Sequence, residues 1–299
     1  MRIFLTGGSG YIGSAVLEAF VRAGHRVDAL VRNSEKAAEV QARGGHPVLG
    51  DMSTPASYAD AAAAADGVVH PAFEFAPRGP QVDATFLDTI LKLPPAAGRF
   101  LIYTSDVWVL GPVPTPADET APINAMEISS WRPAHEARVL RAAHGYLRTA
   151  VIRPAIVYGG SRGIVGDVFK DAANSLIRVI GSGDNHWPLV YDRDLADLYV
   201  RVAENPEASG IFHANDEGDE RVNDIVTAIS DHAKTTPSVR YVPIEEARKK
   251  MGPYADALVI DQLVRSPRAK ALGWAPSLHS VAGNVARLLE EFRTARAAA

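Results

Sequence analysis

Three glycines, Gly7, Gly10 and Gly13, stand in Thr6-Gly7-Gly8-Ser9-Gly10-Tyr11-Ile12-Gly13 at the spacing that lets a backbone hold a pyrophosphate. The first permits a tight turn, the second a close approach to the anion, and the third close packing of a helix on a strand. Ser9, Tyr11 and Ile12 complete the segment, and the N–H groups of the following helix are free to meet phosphate oxygens. About twenty residues on, where an acidic side chain would bind a ribose 2′-hydroxyl, the chain reads Ala29-Leu30-Val31-Arg32-Asn33. A guanidinium there pairs with a 2′-phosphate and stacks on adenine, which favours NADP(H) over NAD(H). Asp51, in Gly50-Asp51-Met52, is placed either to accept from the adenine amino group or to cap a helix starting near Ser53.

These residues need strands to end at them and helices to begin. Arg2 to Thr6, Arg26 to Val31, Pro47 to Leu49, Gly67 to His70, Phe100 to Thr104 and Thr149 to Ile152 are short runs rich in β-branched and aromatic residues, the pattern of buried strands. Between them, Tyr11 to Ala23, Gln81 to Leu93 and Ser130 to His144 carry apolar residues at helical spacing. The alternation predicts an α/β fold, a Rossmann-type doubly wound parallel sheet with a smaller C-terminal substrate-binding domain. Residues 1–158 form the dinucleotide-binding domain, 188–214 return to it, and 159–187 with 215–299 make the substrate domain. Within these, Asp167 to Val179, Pro188 to Ala203 and Leu278 to Arg296 read as helices, and Gly210 to Ala214 as a strand.

Composition narrows the chemistry. The 299 residues hold 31 Lys plus Arg against 35 Asp plus Glu, a net charge of -4, so no basic field exists for nucleic acid or an anionic membrane. Cysteine is absent, which removes disulfides, thiolate metal sites and thiol nucleophiles. The nine histidines lack ligand spacing, so no metal is expected. No nucleophile elbow and no phosphate loop with Gly-Lys-Ser or Gly-Lys-Thr occurs. The apolar start is too short for a signal-peptide core, and a cytoplasmic location is expected.

The glycine spacing, Gly50-Asp51, Val68-Val69-His70-Pro71-Ala72, Tyr103-Thr104-Ser105, Arg153-Pro154-Ala155-Ile156-Val157-Tyr158-Gly159, Asp192 to Leu198 and Leu272-Gly273-Trp274-Ala275-Pro276 follow in order. Together they resemble an extended short-chain dehydrogenase/reductase of the NAD-dependent epimerase/dehydratase group. The resemblance implies that Met52 and Thr104 join the cofactor contacts and that Pro154 and Ile156 bring their backbone to the nicotinamide carboxamide. It also implies a serine or threonine after the fifth strand and Tyr-x-x-x-Lys in the next helix. This chain departs from all three: counting back from Gly111 puts Asp106 at the serine position, and counting back from Glu136 puts Arg132 at the lysine and Ile128 at the tyrosine.

The remaining proton chemistry falls to Asp106, with Arg132 keeping the lysine's cationic role at the cofactor ribose. A carboxylic acid kept neutral by burial can donate to a substrate oxygen, and an ionised one can favour a cationic centre. Tyr158, His135, His186, Tyr103 and Glu74 are further proton carriers, of which Tyr158 and His135 join Asp106 and Arg132 as candidate catalytic residues. Phe73, Trp108, Tyr158, Val165, Phe169, His186 and Trp187 are candidate walls of a largely apolar substrate pocket. The expected activity is an NADPH-dependent oxidoreductase acting on a small carbonyl, imine or enone. The alternatives are an epimerase or dehydratase that recycles its cofactor and a non-catalytic NADP(H)-binding sensor or scaffold. The expected partner is a small-molecule substrate, with a homodimer possible in this family.

Overall fold

The computed structural model describes residues 1–233 and 236–297. In chain order it runs β1 (Arg2–Thr6), α1 (Tyr11–Arg22), β2 (Arg26–Val31), α2 (Ser34–Ala42), β3 (His46–Leu49), α3 (Ala59–Ala63), β4 (Gly67–His70), α4 (Gly79–Ile90) and β5 (Arg99–Thr104). There follow β6 (Val113–Ala117), α5 (Arg132–Arg141), β7 (Leu147–Pro154), β8 (Ile156–Tyr158), α6 (Gly163–Ala173), β9 (Leu176–Ile180), β10 (His186–Trp187), β11 (Leu189–Tyr191), α7 (Asp192–Glu204) and β12 (Gly210–Ala214).

Seven of these strands form one parallel sheet in the order β12-β7-β5-β4-β1-β2-β3. The chain builds outward from β1 to β3, then crosses back to β4 and builds the other way. The switch point therefore lies between β1 and β4, where doubly wound sheets bind ligands at the carboxyl ends of the strands. Alternation along each strand feeds both faces. Ile3, Leu5, Phe100 and Ile102 pack with Val16, Phe20, Leu195 and Leu198, uniting α1 and α7 on one face. Phe4, Leu101 and Tyr103 pack with Tyr58, Phe86 and Val139 under α3, α4 and α5 on the other. A separate core joins α6, β9 and β11 to the C-terminal segments through Tyr158, Phe169, Trp187, Ile225 and Phe292.

Three elements differ from the sequence reading. Asp167 to Val179 is not one helix: α6 ends at Ala173, Ser175 takes φ 62°, and β9 pairs in parallel with Ser238–Val242. Buried Ile177 and Val179 alternate with exposed positions there, a period of two that a helical count missed. Pro188 to Ala203 begins as β11, paired with β8, and turns helical only at Asp192. The C-terminal helix starts at Val285, because the chain before it is held as a loop by carboxylates. Asp194 accepts from the N–H groups of Ser277 and Leu278, and Glu220 from those of Val281 and Ala282. Among the described residues, no helix is long and apolar enough to cross a membrane.

Candidate active site

The carboxyl ends of β1, β4, β5 and β7 bring the glycine segment, His70 to Phe73, Thr104 to Asp106 and Pro154 to one edge. The cradle fits a dinucleotide. Gly7 takes φ 68°, and its carbonyl accepts from Gly10 N–H at 2.7 Å. A Cβ on Gly13 would stand 2.0 Å from that same carbonyl, so only glycine lets α1 start this close to β1. Gly10 caps α1 without a side chain, and no acidic residue occupies the first turn, which leaves the helix N-terminus open to an anion. Tyr11 spends its hydroxyl on the carbonyl of Gly159 at 2.9 Å, anchoring the cradle helix to the turn after β8.

Arg32 is exposed and makes no hydrogen bond or ion pair among the described residues. Asp51 closes the turn after β3 and caps no helix, since the short helix that follows begins at Pro55 behind Thr54. Asp51 Oδ1 accepts from Ser53 N–H at 2.8 Å and Ser53 Oγ at 2.6 Å, bonds that hold the carboxyl below its ordinary range, helped by the Arg32 charge. Thr104 Oγ1 lies 2.5 Å from the buried hydroxyl of Tyr199. The amides after β7 are also committed, Ala155 to the carbonyl of Ala214 and Ile156 to that of Pro188. Pro154 has no N–H, so this stretch offers a carboxamide only carbonyl acceptors.

Asp106 and Arg132 meet. Arg132 Nε forms an ion pair with Asp106 Oδ2 at 2.7 Å, and its Nη1 donates to the carbonyl of Thr104 at 2.9 Å. Ser129 Oγ also donates to Asp106 Oδ2, at 2.9 Å. The Asp106 side chain keeps 21% of its surface, yet its Oδ1 is enclosed and has no hydrogen-bond partner. Burial pushes this carboxyl above its ordinary range, against the opposing pull of Arg132 and Ser129. Oδ2 thus carries the ion pair and the hydroxyl contact, and with Oδ1 enclosed a ligand can meet the carboxyl only at Oδ2. The Arg132 guanidinium lies over Trp131, 4.5 Å from its ring centre, and 5.3 Å from that of Phe73.

His135 is not a relay on the helix surface. It is buried, and its Nδ1 lies 2.6 Å from Asp83 Oδ2 on α4. Asp83 also accepts from His70 Nε2 at 3.0 Å and from the Tyr103 hydroxyl at 3.0 Å. His70 Nδ1 in turn lies 2.7 Å from Thr6 Oγ1. Burial alone would raise the Asp83 carboxyl, but the two histidines outweigh it and hold the group well below the usual carboxylate range. This buried hub ties β1, β4, β5, α4 and α5 together beneath the cradle.

Of the proposed pocket walls, Phe73 is half-buried with the Arg132 guanidinium over its ring, and Trp108 is half-buried, packed against the core of the smaller lobe and edge-on to Tyr254. His186 is half-buried and held by Asp261, whose Oδ1 lies 2.7 Å from its Nδ1. Tyr158, Val165, Phe169 and Trp187 belong instead to the core of the smaller lobe. Tyr158 donates to Asp216 at 3.0 Å and is fully buried; burial and the Asp216 charge push its hydroxyl far above the ordinary range, so it cannot serve as the acid. Trp187 is fixed by its Nε1–H to the carbonyl of Leu258 at 3.0 Å. Ser129 was missed; its signal was a small hydroxyl one turn before Arg132, at i and i+3. Among the described residues, no group of His, Asp and Glu is arranged to hold a metal ion.

Residues 3–214 match the NAD dependent epimerase/dehydratase family. The chain belongs to that family. It is 32% identical over 285 residues to the uncharacterized protein C2A9.02 of Schizosaccharomyces pombe, covering 93% of this chain and 95% of that one. It is 29% identical over 210 residues to the 2-alkyl-3-oxoalkanoate reductase of Stenotrophomonas maltophilia, covering 64% and 62%. Among solved structures, human epimerase family protein SDR39U1 with NADPH superposes with a TM-score of 0.76 at 20% identity, covering 97% of this chain and 99% of that one. The UDP-glucose 4-epimerase of Thermus thermophilus, in complex with NAD, superposes with a TM-score of 0.82 at 19% identity, covering 99% and 100%. These likenesses agree with the seven-stranded parallel fold. A further relative, 25% identical over 234 residues, is the decarboxylating sterol-4-alpha-carboxylate 3-dehydrogenase of Dictyostelium discoideum, covering 72% of this chain and 71% of that one.

Proposed function

We propose that this protein is an NADPH-dependent reductase of a small, largely apolar carbonyl compound, with Asp106 in place of the usual tyrosine acid. The observation that carries this is the Asp106 carboxyl at the end of β5, one-fifth open to solvent at 21%, paired with Arg132 through Oδ2 and raised above its ordinary range by burial. The exposed, unpaired Arg32 supports the choice of NADPH, and the open N-terminus of α1 with Gly7, Gly10 and Gly13 would hold the pyrophosphate. When bound, NADPH supplies a hydride.

Asp106, protonated, donates a hydrogen bond through Oδ2, the oxygen that is not enclosed, to the substrate carbonyl oxygen and passes that proton to it as negative charge develops. The oxygen becomes the hydroxyl of the product alcohol, still bonded to its carbon, and a proton from water restores the acid. The carboxylate formed on Asp106 is stabilised by Arg132 Nε and Ser129 Oγ, which already sit on Oδ2. Arg132 thus holds the acid in place and balances its charge once the proton has gone. Phe73 and Trp108 suit an apolar substrate, as does the likeness to a reductase of 2-alkyl-3-oxoalkanoates. The reading is tested by NADPH oxidation with apolar ketones, coupled to alcohol formation. One alcohol per NADPH is expected. Conversion of a sugar nucleotide to its epimer with no net NADPH loss would contradict it.

A further inference from the structure

Phe75 is 92% exposed, an unusual setting for a ring of its size. It does not hang from a loose end. Glu74 and Arg78 pair at 2.6 Å across the turn, Ala76 N–H donates to the carbonyl of Glu74 and Gly79 N–H to that of Ala76. A Cβ on Gly79 would fall 2.1 Å from the Glu74 carbonyl, so the glycine lets the turn close and hold Phe75 outward.

The exposed ring is one end of a series. Phe75 meets Phe73 edge-on with centres 5.0 Å apart, and Phe73 stacks on Trp131 at 5.1 Å and 13°. Trp131 carries the Arg132 guanidinium at 4.5 Å, and Arg132 holds Asp106. A line of rings thus runs from solvent to the guanidinium that pairs with the acid.

We infer that Phe75, Phe73 and Trp131 form a track for an alkyl or isoprenoid chain attached to the carbonyl that Asp106 protonates. This rests on the reductase reading and adds the substrate class: ketones bearing a medium or long apolar chain. The continuity of the rings with the Arg132–Asp106 pair selects the substrate's own chain as the occupant. A chain laid on Phe75 would remove ring and methylene surface from water together, and each buried methylene strengthens binding roughly fourfold.

The test compares wild type with Phe75→Ala, a substitution at a 92% exposed ring whose aromatic contact is Phe73, on methyl ketones of increasing chain length. The ratio of kcat/KM for a decyl over an ethyl ketone is expected to fall roughly tenfold in the variant. An equal ratio in both proteins overturns the track while leaving the reductase reading intact. Calorimetric binding of decanol in the presence of NADP+ needs no turnover. Roughly tenfold weaker binding by Phe75→Ala supports the track even if no ketone is reduced, and equal binding overturns it. A wild-type dimer that Phe75→Ala converts to a monomer would assign the ring to a second copy of the chain and overturn the inference as well.

Discussion

Replacing Arg32 by alanine separates the two cofactors with little effect on the fold. The side chain is exposed and makes no bond among the described residues, while the cap of α2 is made by Asn33, which accepts from Lys36 N–H at 2.9 Å. Loss of the guanidinium should therefore change stability by no more than about 0.5 kcal/mol. A guanidinium on a 2′-phosphate is a charge-assisted contact of about 1.5–3 kcal/mol, or roughly ten- to a hundredfold in affinity. Exposure and salt screening place this site near the lower end, and the loss should grow as ionic strength falls. Asp51, whose carboxyl feels the Arg32 charge, would remain as a nearby anion and add to the loss. Fluorescence titration with NADPH and NADH should show about tenfold weaker NADPH binding and little change for NADH. Equal affinity for NADPH in both proteins, or an equal loss for both cofactors, would refute the phosphate assignment.

Two predictions concern buried carboxyls with opposite pH behaviour. Asp83→Asn removes the anion that His70, His135 and Tyr103 share, and should cost about 3 kcal/mol in denaturant unfolding at neutral pH. Because the folded-state carboxyl is held low, the wild-type advantage is present above about pH 4 and fades as pH falls below it; a variant as stable as wild type at pH 7 would discount the hub. Asp216 goes the other way, since burial pushes it from 3.8 up to about 7. The folded state holds its proton more tightly, so its contribution is full at low pH and is lost as pH rises from about 4 to about 7, by up to about 4 kcal/mol. Unfolding of Asp216→Asn should therefore vary less across that window, and an unchanged pH slope would count against a protonated Asp216.

Local signals were read well and distant partnerships were not. The cradle was legible because its turn, its glycines and its helix start lie within eight residues, and the strands because burial on both faces leaves short β-branched runs. Asp106 and Arg132 were found by counting along the family's motifs from Gly111 and Glu136, and their ion pair is what the structure adds. Trp187, Phe169 and Tyr158 look the same in sequence whether they line a pocket or fill a core. Their placement depends on Leu258, Phe292 and Asp216, which lie far along the chain. His135 was misplaced for the same reason, its partner Asp83 lying 52 residues earlier. Ser175 at φ 62° has no sequence mark like that of a glycine, so the end of α6 and the start of β9 went unread.

The proton on Asp106 is the centre of this account, and single-turnover hydride transfer from NADPH, followed across pH in wild type and Asp106→Asn, tests it most directly. Asparagine can keep a bond to Arg132 or Ser129 but has no proton to give. The account predicts a rate about a hundredfold or more lower in the variant, and a wild-type rate that falls with rising pH through a value above the ordinary aspartate range while the variant stays flat. Equal rates in the two proteins, with the same pH profile, would contradict it.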